Sequence, residues 1–470
     1  MQQMDTDYLV IGSGTAGLAF VDTLLAEDDA HITIVDRHGK PGGHWNDAYP
    51  FVTLHQPSAF YGVNSMVLGS GRKDTHGLNA GLYELACGPD ISGYFDRVMN
   101  HRLLPSGRVS YLPLSNHLGD GRVESLLSGR QTQINVRRKT VDARYYSPPV
   151  PSTHVPRFSV AEGVDLVPPN ALPGLWARAQ GPQARPLPRR FVVLGAGKTA
   201  MDVCIWLLQS GADPDSIQWV VPRDSWLINR VTTQNGPEFF HEAIGGQVRQ
   251  MTALAEARSV EDLFLRLEAC GTLLRIDPSR MPGMFHLATV SEREVAELRR
   301  VHQVIRQGRV QALEPTRMVM DQGSVAVEPG TLFIDCTASA VEPRPPVPIF
   351  QGQQIVLQMV RLPQPAFSAA LTAYVEAHYD SDAEKNRLCG SVPFPHTLAD
   401  YPKSMMVGMW NQAQWGQDKA LRQWVRESRL DGFGKLMANA PKEDGDKQAV
   451  IAAFREQAMA AMTNIPRLLA

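Results

Sequence analysis

Two apolar runs of the chain, residues 8–11 and 191–194, are each followed by a glycine-rich turn and then by a helical pattern. Short apolar runs that end at glycine are typical of buried strands in parallel sheets. A further apolar run follows each helical pattern, at 32–35 and at 217–221. The repeated order of strand, turn, helix and strand predicts an α/β protein with two Rossmann-like domains.

The first glycine turn, residues 12–17, reads GSGTAG and has the spacing of a dinucleotide-binding loop. In such a loop Gly12 permits the tight turn, Gly14 lets the backbone approach a pyrophosphate, and Gly17 lets the helix pack close to the strand. Asp36 ends the next strand, 19 residues after Gly17, where a carboxylate can accept hydrogen bonds from ribose hydroxyls. Strand, glycines, helix and acid together predict a nucleotide site.

Residues 41–45 read PGGHW, a second glycine pair with an adjacent aromatic residue shortly after Asp36. On this segment and the two glycine turns, the chain resembles the flavin-containing monooxygenase superfamily, whose FAD domain carries a GGxW segment after its ribose-binding acid. The resemblance implies that the first turn holds FAD. It also implies that the NAD(P)-binding domain is inserted in the FAD-binding domain. That superfamily uses Glu more often than Asp at the acid position.

The second glycine turn, residues 195–200, reads GAGKTA, with Ala200 in place of the third glycine, a substitution common in NAD(P)-binding turns. The strand at 217–221 is followed by Arg223 and Asp224. A cation at this strand end favours the 2′-phosphate of NADPH, whereas an acid favours NADH. We predict NADPH because Arg223 comes first, and Asp224 is the argument against it. The residues predicted to contact NADPH are Gly195, Gly197, Lys198, Thr199, Ala200 and Arg223.

In the resembling family the segment after GGxW runs beneath the flavin ring, which here corresponds to residues 49–65. Gln56 and Asn64 are the candidate catalytic residues near the reactive carbon, and turn-forming loop residues are the alternative for both. The resemblance also implies that a last strand over 354–360 and a helix opening at 367 point N–H groups at the flavin edge. The residues predicted to contact FAD are Gly12, Gly14, Thr15, Ala16, Gly17, Asp36, Arg37, Gly43, His44, Trp45, His55, Gln56, Val109, Gln358, Phe367 and Ser368.

Four segments follow from this pattern. They are the first part of the FAD-binding domain (1–185), the NAD(P)-binding domain with a helical insert (186–308), the second part of the FAD-binding domain (309–400, with a buried strand at 331–338) and a helical C-terminal tail (401–470). The proline-rich stretch 147–188 is expected to be an extended crossover. The helices of the tail are interpreted as core packing or as a homodimer contact. The 225–300 region is expected to line the substrate pocket, with Asn229, Arg230, Arg275 and His286 as polar candidates, and ordinary polarity of a helix surface or linker is the favoured alternative for each.

Composition narrows the possible functions. The chain of 470 residues has 46 basic and 48 acidic residues, a balance that argues against a nucleic-acid partner. No signal peptide or membrane-spanning run is recognised, so a cytoplasmic protein without a membrane partner is expected. The five cysteines show no CxxC spacing, which excludes the disulfide-reductase branch of two-dinucleotide flavoproteins. No HExxH pattern is present, so no metal is expected.

The chemistry expected of this combination is hydride transfer from NADPH to flavin. In the resembling monooxygenases oxygen then forms a flavin hydroperoxide, which oxidises a small organic substrate. One departure matters, because residues 167–176 lack the FxGxxxH fingerprint that those enzymes carry before the second turn. Two alternatives therefore stay open: an FAD-dependent NAD(P)H oxidase or reductase without oxygen insertion, and a redox-sensing nucleotide-binding protein that turns over little.

Overall fold

The structure is a computed structural model that describes residues 2–146, 149–179, 186–339 and 341–469. Its strands are β1 (Gln2–Ile11), β2 (Ile32–Val35), β3 (Val109–Leu112), β4 (Ser115–Gly119), β5 (Arg122–Ser125), β6 (Gln131–Asp142), β7 (Ser159–Val160), β8 (Asp165–Val167), β9 (Phe191–Leu194), β10 (Ile217–Val220), β11 (Leu227–Asn229), β12 (Leu273–Leu274), β13 (Thr289–Val290), β14 (Gln303–Ile305), β15 (Val310–Glu314), β16 (Arg317–Met320), β17 (Gly323–Ala326), β18 (Leu332–Asp335), β19 (Phe350–Gln351) and β20 (Gln354–Val356). Its helices are α1 (Thr15–Glu27), α2 (Gly88–Val98), α3 (Leu172–Ala179), α4 (Lys198–Gln209), α5 (Phe240–Glu256), α6 (Val260–Ala269), α7 (Glu292–Leu298), α8 (Pro365–His378), α9 (Asp382–Leu388), α10 (Asp400–Gln417), α11 (Lys419–Glu427), α12 (Gly432–Ala438) and α13 (Gly445–Leu469).

The first sheet is built around β1, the strand that precedes the first glycine turn. Its strands lie in the order β19-β20-β6-β1-β2-β3, and the β4–β5 hairpin is attached to β6. Tyr8 and Val10 of β1 are buried in the cluster that α1 and α8 share, and the alternate residues Leu9 and Ile11 are buried towards the hairpin. This alternation is the two-residue period of a strand covered on both faces.

The second sheet is parallel throughout and lies in the order β14-β10-β9-β18-β8. From β9 the chain proceeds outwards to β10 and β14 on one side, and later to β18 on the other. The glycine turn after β9 therefore lies where the strand order reverses, which is where ligands bind in open α/β sheets. The predicted α/β class with two Rossmann-like halves is confirmed.

Two local predictions were wrong. The stretch 147–188 is not an extended crossover, because it contains β7, β8 and α3, while 147–148 and 180–185 lie outside the described residues. The strand predicted at 331–338 within the second part of the FAD-binding domain pairs instead with β9 and β8 in the second sheet. The reason is that buried parallel strands of either sheet are short apolar runs, so the run itself does not identify its neighbours. The domain boundaries at 185, 308 and 400 stay predictions.

The inserted helices and the C-terminal tail pack on each other. Helix α13 runs along α5, and Asn464 donates hydrogen bonds to the carbonyls of Leu254 and Ala257 at the end of α5. The sequence pattern predicts two tail helices, at about 418–430 and 447–462, and α11 and α13 lie there. Helix α10 has no clear periodic signal in the sequence. Within the described part of the chain, no helix combines the length and apolar character needed to cross a membrane.

Candidate functional site

The first glycine turn presents backbone atoms where a pyrophosphate would lie. Gly12 has a φ of +107°. A Cβ on Gly17 would lie 2.0 Å from the carbonyl oxygen of Gly12, so α1 can start against the turn only with glycine at this position. A Cβ on Gly14 would meet the Cα of Gly43 at an ordinary 3.6 Å. The start of α1 therefore forms a cradle of the shape and polarity that phosphate binding requires.

Asp36 is buried at the end of β2 and faces the first glycine turn. Its Oδ2 accepts hydrogen bonds from the backbone N–H of Ser13 at 2.6 Å and from the Ser13 hydroxyl at 2.8 Å. Its Oδ1 accepts from the backbone N–H of His38 at 2.8 Å. The structure thus places this carboxylate beside the turn, as the proposed ribose contact requires. The neighbouring Arg37 is exposed.

The GGHW segment lies against the same turn. The N–H of Gly42 donates to the carbonyl of Ser13 at 2.8 Å. The indole Nε1 of Trp45 donates to the Tyr61 hydroxyl at 2.7 Å, and that hydroxyl also hydrogen-bonds the hydroxyl of Thr15 in the first turn of α1. Tyr61 was missed by sequence reasoning, because nothing in its local sequence marks a residue that reaches back to the turn.

The residues predicted at the flavin edge are held by contacts within the protein. The buried amide of Gln358 bonds a carbonyl and a hydroxyl of neighbouring loops. The Ser368 hydroxyl accepts from the N–H of Val360 at 3.1 Å. The Phe367 ring is fully buried, with the guanidinium carbon of Arg361 3.7 Å from its centroid. Their contacts with flavin stay predictions. So does that of Val109, which is buried at the start of β3.

The two candidate catalytic residues lie in different surroundings. Gln56 is half-buried in the irregular segment before the Tyr61 loop. Asn64 is tied to the C-terminal tail, because its Oδ1 accepts from the hydroxyl of Ser428 at 2.9 Å and from the N–H of Arg429 at 3.1 Å. A catalytic role stays a prediction for both residues, and the structure gives Asn64 an anchoring contact.

The second glycine turn is tightly packed at Gly195 and leaves open space at Gly197. Gly195 has a φ of +117°, and a Cβ there would lie 2.6 Å from the carbonyl oxygen of Cys336 after β18. A Cβ on Gly197 would have no heavy atom of the described residues within 4 Å. Ala200 is fully buried at the position of the missing third glycine. The open backbone at Gly197 fits the approach of a second pyrophosphate.

The two charged residues that follow β10, Arg223 and Asp224, lie in different surroundings. Arg223 is exposed. Asp224 is engaged by Arg306, whose Nε and Nη2 each lie 2.9 Å from its carboxylate oxygens, and Arg306 also pairs with Asp277 at 3.1 Å. The acid that argued against NADPH is therefore neutralised within the protein. A cavity of about 300 Å³ adjoins this pair, lined among others by Ala196, Trp219, Asp224, Arg275 and Arg306.

Buried charges connect the segment after GGHW to the second glycine turn. Lys198 opens α4, and its Nζ pairs with the carboxylate of Asp202 one turn later and lies 3.5 Å from Oε1 of Glu294. The hydroxyl of Tyr49, from the first half of the chain, donates to Oδ2 of Asp202 at 2.8 Å. Lys198 was predicted as a cofactor contact, and the structure shows it held between two carboxylates.

Arg230 extends this network to the first half of the chain. Its side chain is almost wholly buried, with Nη1 2.6 Å from Oε2 of Glu294. Its Nε donates to the backbone carbonyl of His55 at 2.8 Å, and its Nη1 to Oδ1 of Asn79 at 3.2 Å. We call Tyr49, His55, Lys198, Asp202, Arg230 and Glu294 the junction network. In the sequence, Glu294 stands three residues after Ser291, the spacing of a capping box at a helix start, and nothing there indicates its pairing with two distant cations.

The junction network drives the pKa values of its groups apart. Burial disfavours ionisation of Glu294, but Lys198 and Arg230 outweigh burial and hold its pKa at about 2. Burial raises the pKa of Asp202 in spite of Lys198. Burial, and then the same two cations, lower the pKa of His55 to about 3. Carboxyls whose surroundings separate their pKa values are typical of sites that move protons.

The fold and the two glycine turns define a two-dinucleotide-binding protein with the fold of flavin monooxygenases. A family model described as an NAD(P)-binding Rossmann-like domain matches residues 10–65, the segment with the first turn, Asp36 and GGHW. Uncharacterised proteins of Mycobacterium tuberculosis and Mycobacterium bovis are 45% identical over 469 residues, which cover 99% of this chain and 85% of theirs. The chain belongs to the family of these mycobacterial proteins.

A solved structure agrees on the fold. The polycyclic ketone monooxygenase of the fungus Thermothelomyces thermophila is 12% identical and superposes with a TM-score of 0.52, covering 99% of this chain and 90% of that one. An open form of cyclohexanone monooxygenase is also 12% identical, with a TM-score of 0.49, covering 97% of this chain and 99% of that one. Family model and fold are consistent with the predicted cofactors, FAD and NADPH. The ADP half of each is what such glycine turns bind.

Proposed function

We propose that the protein is an FAD-dependent monooxygenase that consumes NADPH and transfers one oxygen atom to a small organic substrate. The observation that carries this proposal is the junction network. Through the hydrogen bond between Tyr49 and Asp202, it joins the segment after the GGHW motif to α4, the helix that follows the second glycine turn. Two nucleotides bound at these turns would have their reactive rings directed to one shared region, as hydride transfer requires.

The assignment of each cofactor rests on the residues at each turn. FAD would lie against the backbone of Gly14 and Gly43, with its ribose at Asp36. NADPH would lie against Gly197, with Arg223 at its 2′-phosphate. When bound, NADPH would supply the hydride and FAD the oxygen chemistry, and the protein's part would be to orient the reactants and to exclude water.

The junction network supplies groups suited to handling protons at the shared region. Asp202 retains a proton to a higher pH than an ordinary Asp, and the Tyr49 hydroxyl hydrogen-bonds its carboxylate. His55 is kept neutral by burial and by two neighbouring cations, so its ring can donate or accept one hydrogen bond without introducing charge. We expect these groups to hold and pass protons, while Arg230 fixes the backbone at His55.

The alternative is an NAD(P)H oxidase or reductase that inserts no oxygen, and the missing fingerprint at residues 167–176 favours it. The deciding experiment measures NADPH oxidation, oxygen uptake and hydrogen peroxide in the same reaction, with a panel of amines, sulfides and ketones. A monooxygenase shows substrate-dependent NADPH use, with peroxide falling as oxygenated product forms. Peroxide or reduced acceptor that matches NADPH under every condition supports the alternative. A purified protein that binds no FAD contradicts both.

A further inference from the structure

An arginine of the C-terminal tail donates most of its hydrogen bonds to one loop of the first half of the chain. Arg429 lies in the turn between α11 and α12. Its Nε donates to the carbonyl of Val63 at 2.9 Å, its Nη1 to that of Ala59 at 2.6 Å, and its Nη2 to that of Tyr61 at 2.7 Å. The planar fork of a guanidinium spreads its N–H donors widely enough to reach three separate carbonyls, whereas an ammonium carries all its donors on one nitrogen atom. Burial lowers the pKa of Arg429.

The rest of this turn of the tail is fitted to the same loop, residues 59–64. Asn64 accepts two hydrogen bonds from residues 428 and 429. The ring of Phe433 lies 5.2 Å from that of Phe60, centroid to centroid. A Cβ on Gly432 would lie 2.0 Å from a ring carbon of Phe60, so the backbone of α12 rests directly on the loop. The contact therefore involves side chains and backbone, well beyond a single surface ion pair.

The loop in turn reaches the first glycine turn through Tyr61. Its hydroxyl bonds the hydroxyl of Thr15 at the start of α1 and accepts from Nε1 of Trp45 in the GGHW segment. Other anchors hold the loop further along, since the N–H of Val63 donates to the Tyr94 hydroxyl. Arg429 is the group that binds the carbonyls on both sides of Tyr61 and the carbonyl of Tyr61 itself.

We propose that Arg429 is a positioning residue of the first nucleotide site: the tail fixes loop 59–64, and the loop places the Tyr61 hydroxyl between Thr15 and Trp45, so that FAD affinity depends on the tail. This inference rests on the proposed assignment of FAD to the first glycine turn. It gives the tail a role beyond the core packing and dimer contact expected from the sequence.

The test compares Arg429→Gln with Arg426→Gln, a matched change at an exposed arginine one turn earlier on α11. FAD affinity is measured by titrating each apoprotein with FAD and following the flavin fluorescence, and the apoprotein melting temperature is recorded in parallel. We expect the dissociation constant to rise at least tenfold for Arg429→Gln and to stay within twofold for Arg426→Gln. Arg429→Lys should recover only part of the loss, because an ammonium lacks the fork.

Tyr61→Phe separates positioning from general stability, and it serves if Arg429→Gln does not fold. If Arg429 acts through the Tyr61 hydroxyl, Tyr61→Phe alone weakens FAD, and combining it with Arg429→Lys weakens FAD by less than the product of the single effects. FAD affinity unchanged in Tyr61→Phe, or multiplicative effects, overturns the inference while leaving the proposed function intact. A wild-type protein that binds no FAD overturns the proposed function and this inference together.

Discussion

At the scale of single residues, the two charged side chains after β10 differ: Arg223 is free to meet a ligand, whereas the charge of Asp224 is neutralised within the protein. Arg306 engages both carboxylate oxygens of Asp224, while Arg223 is exposed. Sequence alone could not weigh these two neighbours against each other, because Arg306 lies on another strand end, 82 residues from Asp224. The tertiary pairing removes the argument that Asp224 made against a phosphate-binding strand end, and the role of Arg223 stays a prediction.

The corresponding prediction concerns cofactor choice. Arg223→Gln should raise the apparent KM for NADPH by about tenfold or more, because a hydrogen bond to a charged group contributes roughly 1.5–3 kcal/mol. NADH lacks the 2′-phosphate and serves as the internal control, so the apparent KM for NADH should be unchanged. Steady-state kinetics with both nucleotides checks this, and equal losses with NADPH and NADH would contradict the role of Arg223.

A second residue-scale prediction concerns acid stability. His55 has a folded pKa of about 3 against an ordinary value of 6.5, so between these values the unfolded chain binds more protons than the folded one. Its contribution to stability is complete above about pH 6.5 and is lost as the pH falls towards about 3. His55→Asn should flatten the dependence of the unfolding free energy on pH in this window, as measured by urea denaturation. An unchanged slope would show that the imidazole does not stay neutral.

At the scale of elements, Gly14 and Gly17 of the first turn are required for different reasons. A Cβ on Gly17 collides with the backbone of Gly12, whereas a Cβ on Gly14 meets only ordinary contacts. The sequence motif names both residues, and only the structure shows which one the fold itself needs.

We therefore expect Gly17→Ala to destabilise the apoprotein, and Gly14→Ala to leave its melting temperature nearly unchanged while greatly weakening FAD binding. The reason for the second effect is that the new methyl group lies on the face that the pyrophosphate approaches. Melting of the apoprotein and FAD titration of both variants check the pair. A Gly14→Ala protein that keeps normal FAD affinity would mean that the nucleotide does not lie over this turn.

Elements with a local signal were predicted well, and those without one were not. The sequence SERE at 291–294 predicts a capping box, and the run 318–327 predicts a hairpin. Both are confirmed, the hairpin as β16 and β17, because caps and tight turns are specified by a few adjacent residues. Helix α8 begins at Pro365, two residues before the predicted opening. Helix α10 was not predicted, since its apolar positions follow no single face and Trp410 is exposed while Trp415 is buried.

At the scale of the whole molecule, the C-terminal tail joins parts that are distant in sequence. It bonds loop 59–64 through Arg429 and the end of α5 through Asn464. Ile465 of α13 is fully buried in the cluster formed with α5 and α6. The tail is thus part of the folded core.

Ile465→Ala should lower the free energy of unfolding by about 2–5 kcal/mol, the usual effect of truncating a buried aliphatic side chain. Met459→Ala, on the same helix and 69% exposed, is the matched control and should change it by less than about 0.5 kcal/mol. Urea denaturation followed by tryptophan fluorescence measures both. A small effect at Ile465 would mean that α13 is not packed on α5.

The sequence by itself determined the two glycine turns, the acid after β2 and the α/β class, because each depends on backbone conformation and spacing within a few tens of residues. The tertiary structure alone decided which sheet receives β18, that Lys198 lies between two carboxylates, and that the tail reaches the first nucleotide site. Apart from the Lys198–Asp202 pair within α4, these depend on contacts between residues that lie far apart in the sequence. Burial, which raises the pKa of Asp202 and lowers that of His55, exists only once distant segments have packed together, and so does the contact of Lys198 and Arg230 that holds the pKa of Glu294 low.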